Sequence, residues 1–150
     1  AYVGAESNAA GMGEVRREGF ESALQSAGRD FVTREVLVDR PSFYAGFYGA
    51  ENVLNRTKDV DAIYFQDDTM AVGGLFYCKS KGLRVGKDIG IAGWGGMEVA
   101  SVLPERLTTT TVTTQALGKL AAEALVARVR NEPVQDVTVA TTRLIPGNTI

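Results

Sequence analysis

Short β-branched or small-residue runs alternate with amphipathic helical stretches four times in series. This order predicts an α/β protein with a parallel sheet and helices on both faces, since each right-handed crossover needs a helix's length to return. The length of 150 residues suits one domain with a real core, and 45% apolar with 23% charged residues is an ordinary globular mixture. The first strand is Ala1-Tyr2-Val3-Gly4, running into a turn. Residues 12–28 follow as a helix: Val15, Gly19, Phe20, Ala23, Leu24 and Ala27 recur at helical spacing, Glu14, Arg17, Glu18, Glu21 and Gln25 take the other side, and Gly28 caps. Val36-Leu37-Val38 and the breaker Asp39-Arg40-Pro41-Ser42 lead to a second stripe of Phe43, Gly46, Phe47, Ala50, Val53 and Leu54. Ala62-Ile63-Tyr64-Phe65 then enters Asp67-Asp68-Thr69 and an apolar helix through Met70, Ala71, Leu75 and Cys78, whose run Leu75-Phe76-Tyr77-Cys78 reads as helix core, closed by Lys79, Lys81 and Gly82. Ile89-Gly90-Ile91-Ala92-Gly93 is a strand whose glycines imply close helix approach, and it runs into Trp94-Gly95-Gly96. The threonine-rich segment 107–114 is extended by propensity. A last helix over 115–130 carries Leu117, Leu120, Ala121, Ala124, Leu125 and Val129, and Val137 to Leu144 closes the chain as a strand.

The chain contains no histidine, which excludes Ser-His-Asp and Cys-His nucleophiles and His-ligated zinc within it. Its one cysteine, Cys78, can form neither an internal disulfide nor a thiolate cluster and is expected as an inert core residue. No metal and no cofactor are expected. Sixteen Lys and Arg against eighteen Asp and Glu leave a formal charge of −2, so this chain should not hold DNA by charge. No run approaches the roughly 20 apolar residues of a membrane span, and no charged-then-apolar leader opens the sequence, so a cytoplasmic location is expected. The opening without Met, already inside a strand, suggests a piece of a longer protein.

Ligands of open parallel sheets bind at the carboxyl ends of the strands, which points to the loops 4–12, 39–43, 66–69 and 94–98. The first holds Asn8 and a Gly11-Met12-Gly13 turn, but Arg16 stands where a dinucleotide fingerprint needs its third glycine. Gly82 to Asp88 is one residue short of a phosphate loop and lies between a helix and a strand in the wrong order. Arg16, beside a positive helix N-terminus, either clamps a carboxylate or phosphate or is a solvated arginine on the helix surface. Of Asp67 and Asp68, one is a natural helix cap and the other is available to ligand hydroxyls. Adjacent carboxylates diverge, which argues against glycoside hydrolysis. Trp94, at a strand end, is either a stacking platform or core.

The order of these motifs resembles LacI-type transcription regulators. Arg16-Arg17-Glu18-Gly19-Phe20 with Ala23-Leu24 and Ala27-Gly28 is similar to their R-x-x-G-[FY]-x-x-A-[LM]-x-x-[AG]-G helix. Asp67-Asp68-Thr69-Met70-Ala71-Val72-Gly73 is similar to N-D-x-[ML]-A-x-G, and residues 82–94 to G-x-x-[VI]-P-x-D-[IV]-[SA]-[VI]-x-G-[FY]. Pro104 to Thr109 resembles P-x-L-T-T with one inserted residue, and Leu117-Gly118 with Ala121 resembles L-G-x-x-A.

The resemblance implies a periplasmic-binding-protein-like (type I) effector-binding region, of which residues 1–150 are a fragment. Residues 1–106 and 136–150 would be its Rossmann-like C-terminal lobe. Residues 107–135 would be a crossover and a helix that packs on an N-terminal lobe outside the chain, as the DNA-binding headpiece also is. The apolar face of helix 115–130 is therefore expected to be exposed or covered by another chain. By position, Arg16 matches the arginine that holds the effector and Asp67 the residue that bonds its hydroxyls, with Asp68, Trp94 and Asn8 completing the expected site. Where sugar repressors carry an aspartate after G-[FY], this chain has Gly95, and Trp94-Gly95-Gly96-Met97-Glu98 resembles the gluconate-operon branch. A gluconate-like sugar acid, plain or phosphorylated, suits the fixed positive fork of Arg16. The implied function is a non-enzymatic allosteric sensor that binds such an effector and controls operator DNA through its headpiece, as a homodimer. The alternatives are a solute-binding transport protein of the same fold, and a sugar or nucleotide enzyme on such a sheet.

Overall fold

The computed structural model describes residues 1–6, 12–37, 40–138 and 142–150. Within them the chain runs β1 (Tyr2–Ala5), α1 (Met12–Ser26), β2 (Arg34–Leu37), α2 (Phe43–Arg56), β3 (Ala62–Phe65), α3 (Asp68–Ser80), β4 (Gly90–Trp94), α4 (Glu98–Val102), β5 (Thr108–Val112), α5 (Thr114–Val129) and β6 (Thr142–Ile145). The six strands form one sheet in the order β2-β1-β3-β4-β5-β6. Its first four pairings are parallel, as the crossovers require. The expected parallel sheet carries one antiparallel strand at its edge, β6 returning against β5 with Thr110 opposite Leu144. Alternation of side chains marks a strand but carries no information on its direction.

Alternate residues sort the core onto one face. Val3, Ile63, Phe65 and Ile91 point to the side covered by α2 and α3, where Ala50, Val53, Met70, Leu75 and Cys78 complete a cluster closed to solvent. The two helices touch backbone to backbone. A Cβ on Gly46 would lie 1.9 Å from the Met70 carbonyl oxygen, and one on Gly73 would lie 2.0 Å from that of Phe43. Ser42 caps α2, its hydroxyl accepting from the Ala45 amide at 3.0 Å. Gly93 also meets the expected close approach, since a Cβ there would lie 2.4 Å from Asp68 Oδ1.

The opposite face is covered more thinly, by α1. Phe20 stacks on Tyr64 with ring centroids 4.3 Å apart, and Phe31 joins both Phe20 and Tyr2. Of the stripe expected on α1, Phe20 and Leu24 are half-buried against the sheet while Val15, Gly19, Ala23 and Ala27 are exposed. The helix is seated one step round from its apolar centre, with Arg16 half-buried and Arg17 buried between Glu14 and Glu21. Phe76 is likewise corrected from core to surface, since α3 turns it away from the sheet. α4, absent from the sequence reading, is one short turn without a side-chain cap. The final strand is shorter than the expected 137–144, part of which lies outside the described residues. Cys78 is buried as expected, and burial pushes its thiol up to about 11, so it stays protonated at neutral pH. Helix α5 stands away from this core with no buried residue, Leu125 and Val129 being 65% and 76% exposed.

Candidate ligand-binding site

The carboxyl ends of β1, β3 and β4 bring three of the expected site residues together. Arg16 sits one turn into α1, on the sheet-facing side, and its guanidinium carbon lies 4.1 Å from the centroid of the Trp94 ring at the end of β4. Such a planar cation over an aromatic face is held there by the ring quadrupole. Trp94 thus serves as a platform under an arginine rather than as core.

Asp67 ends the β3 loop and is half-buried as the N-cap of α3, accepting from the Met70 amide at 2.9 Å. Burial raises its carboxyl above the usual range, opposed by the Met70 amide and by the charge of Arg16. The same guanidinium is felt by two phenols on α1's side of the sheet. Tyr2 is pushed up to about 12 by burial first and by Tyr64 next, with Arg16 opposing, and Tyr64 is raised for the same leading reason. Arg16 is therefore the positive centre of a partly desolvated corner that includes Asp67, Tyr2, Tyr64 and Trp94.

Asp68 is placed differently from the expected hydroxyl acceptor. It is fully buried, and both its oxygens are taken, Oδ1 by the Thr109 hydroxyl at 2.5 Å and Oδ2 by the Met97 amide at 2.7 Å. It lies beneath the corner rather than facing it. Asn8 lies outside the described residues. Sequence reasoning missed Gln66, which is buried and accepts the Ala5 amide at 2.9 Å on its Oε1, fastening the end of β1 to the β3 loop. Its signal was position alone, the residue after a strand in the same phase as Tyr64. Thr109 and Met97 were seen only as strand and loop.

The turn after Trp94 needs glycine twice, at Gly95 with φ +132° and Gly96 with φ +65°. It leaves the corner without the carboxylate that an aspartate at 95 would supply. Among the described residues no group of three His, Cys, Asp or Glu could hold a metal ion, and no helix is long and apolar enough to cross a membrane. Among the described residues the corner sets a guanidinium beside a carboxylate and two phenols and holds no nucleophile paired with a base.

Residues 1–150 match the model of the periplasmic binding protein-like domain. The HTH-type transcriptional regulator GntR of Escherichia coli K12 is 31% identical over 137 residues, which cover 89% of this chain and 40% of that protein. The transcription regulator GntR of Chromobacterium violaceum superposes with a TM-score of 0.88 at 24% identity, covering 99% of this chain and 55% of the other. A LacI-family transcriptional regulator of Silicibacter pomeroyi gives 0.83 at 25% identity, over 99% and 45%. The chain thus spans about 40% of the length of its curated relative. The chain belongs to the periplasmic binding protein-like domain family, and its homologues are GntR and other LacI-family transcription regulators.

Proposed function

We propose that the chain is the C-terminal lobe of the effector-binding region of a bacterial transcription regulator, and that this lobe holds a small sugar acid to control operator binding allosterically. The observation that carries the acid is Arg16 over the Trp94 ring, 4.1 Å from its centroid, beside a turn in which Gly95 replaces a carboxylate. A neutral sugar gains nothing special from a fixed positive fork, whereas a carboxylate or phosphate pairs with it twice. Asp67 receives the ligand's hydroxyls. Asp68, with both oxygens engaged, supports the site from below.

Residues 1–106 and 136–150 belong to the lobe, β5 (Thr108–Val112) is held in its sheet as well, and the crossing to an N-terminal lobe outside this chain starts after that strand. The bare apolar face of α5 supports that division, because an amphipathic helix gains its stability from a packed face. Operator DNA is contacted through a headpiece also outside the chain, and effector binding changes the closure of the two lobes. The regulator acts as a homodimer in the cytoplasm. The α2–α3 surface that exposes Phe43, Tyr44, Tyr48 and Phe76 supports pairing of lobes. It is a sensor rather than an enzyme, in keeping with relatives that are regulators. Calorimetric titration of the full-length protein with gluconate, phosphogluconate, galactose and a purine is the test. Saturable binding of an acid without galactose supports the reading. Binding of galactose alone moves it to a neutral-sugar repressor or a transport protein.

A further inference from the structure

The hydrogen bonds of the buried Asp68 carboxylate go to Thr109 and Met97 rather than to the side chains of the corner, and its two oxygens join three pieces of chain. It belongs to the first turn of α3. Its Oδ1 receives the Thr109 hydroxyl of β5, and its Oδ2 receives the Met97 amide just past the double-glycine turn. The Thr109 oxygen in turn accepts from the Gly96 amide at 3.3 Å, and Gly95 donates to the Thr110 carbonyl at 2.7 Å. Trp94 enters this turn directly. A segment with two glycines at positive φ has little stiffness of its own, so its path depends on what fastens it. At full burial a carboxylate is tolerated only when its oxygens are satisfied, and here all its partners are the loop and the strand the loop leans on.

We propose that Asp68 is a positioning residue for the ligand corner: by fastening the Gly95–Met97 loop to β5 it fixes the plane in which Trp94 meets Arg16. The acid-binding face of Arg16 is thereby set by a residue that never touches the ligand. This rests on the proposed function for its ligand, but its first test does not. Trp94 is the single tryptophan of these 150 residues, so the part of the full-length protein's intrinsic fluorescence that Trp94→Phe removes reports this one contact. Asp68→Asn places an amide NH2 against a donor, and Thr109→Val removes one donor at nearly constant shape. Thr109→Ser restores the hydroxyl.

In ligand-free protein, at temperatures where circular dichroism shows native helix content, both disrupting variants should shift the Trp94 emission and steepen its quenching by acrylamide. Thr109→Ser should match the wild type. Gluconate affinity in the full-length protein should fall about tenfold in Thr109→Val, the factor expected for losing one charge-assisted hydrogen bond, and recover in Thr109→Ser. Unchanged Trp94 fluorescence in a folded Thr109→Val chain overturns the proposal, and this variant decides the matter should Asp68→Asn not fold. If the wild type takes up no gluconate, the sugar-acid reading fails while the fluorescence comparison still judges Asp68.

Discussion

The guanidinium of Arg16 lies within reach of two phenols, a carboxylate and an indole, and its charge opposes the upward shifts that burial imposes on Tyr2, Tyr64 and Asp67. Arg16→Ala in the full-length protein should weaken an acidic effector by about 2–4 kcal/mol, since the ligand's charge would enter a partly desolvated corner unpaired. Unchanged affinity by calorimetry would retire it as the anchor. Asp67 offers a second test. Its folded carboxyl titrates above the ordinary value of 3.8, so the native state holds that proton more tightly than the unfolded one. Its contribution is present below the ordinary value and is lost as pH rises through the folded one. Asp67→Asn keeps an oxygen for the Met70 amide but cannot ionise, so its melting temperature relative to wild type should rise as pH is raised from below the ordinary carboxylate value through the higher folded one. Asp67→Ala loses the cap and should cost about 1 kcal/mol. At this scale the places of Asp67 and Trp94 at strand ends and of Arg16 in the first turns of α1 were legible, the first two from the strand pattern and the third from the helical spacing. Asp68's actual duty was not, because its partners, Thr109 and Met97, are 41 and 29 residues away along the chain.

Between elements, the tightest fit is the crossing of α2 and α3 through Gly46 and Gly73. Gly73→Ala would drive a methyl into the Phe43 carbonyl, and neither backbone can rotate aside as a side chain would. A loss of about 1–3 kcal/mol is expected in chemical denaturation, whereas the same change at an open helical site would be neutral or favourable. Helix and strand existence was legible wherever the period was long or strong, as in α2, α3 and β3. What failed did so for physical reasons. α4 is five residues long and shorter than any period can show. α1 has a broader apolar stripe than its thin seat on the sheet uses. β6 pairs antiparallel because the chain comes back from α5 in the reverse sense, which depends on the path of a distant helix.

For the molecule as a whole, two surfaces are more apolar than a solitary domain needs. One is α5. The other is the aromatic face of α2 and α3, where Tyr44 is 76% and Phe76 51% exposed. If the lobes pair there, replacing Tyr44 and Phe76 together by lysine should convert the full-length protein to monomers in sedimentation without changing its circular dichroism. Dimers that persist would move the interface elsewhere. The glycine crossing links this face to the ligand corner. Asp67 caps α3 at one end, and one and a half turns along it Gly73 bears on the carbonyl of Phe43, the first residue of the aromatic face. With no compressible side chain between the two backbones, the pair has no internal joint. A displacement of α3 at its capped end is passed undamped to the neighbouring helix, so a sub-ångström adjustment around a small anion would already be a movement of the outer surface.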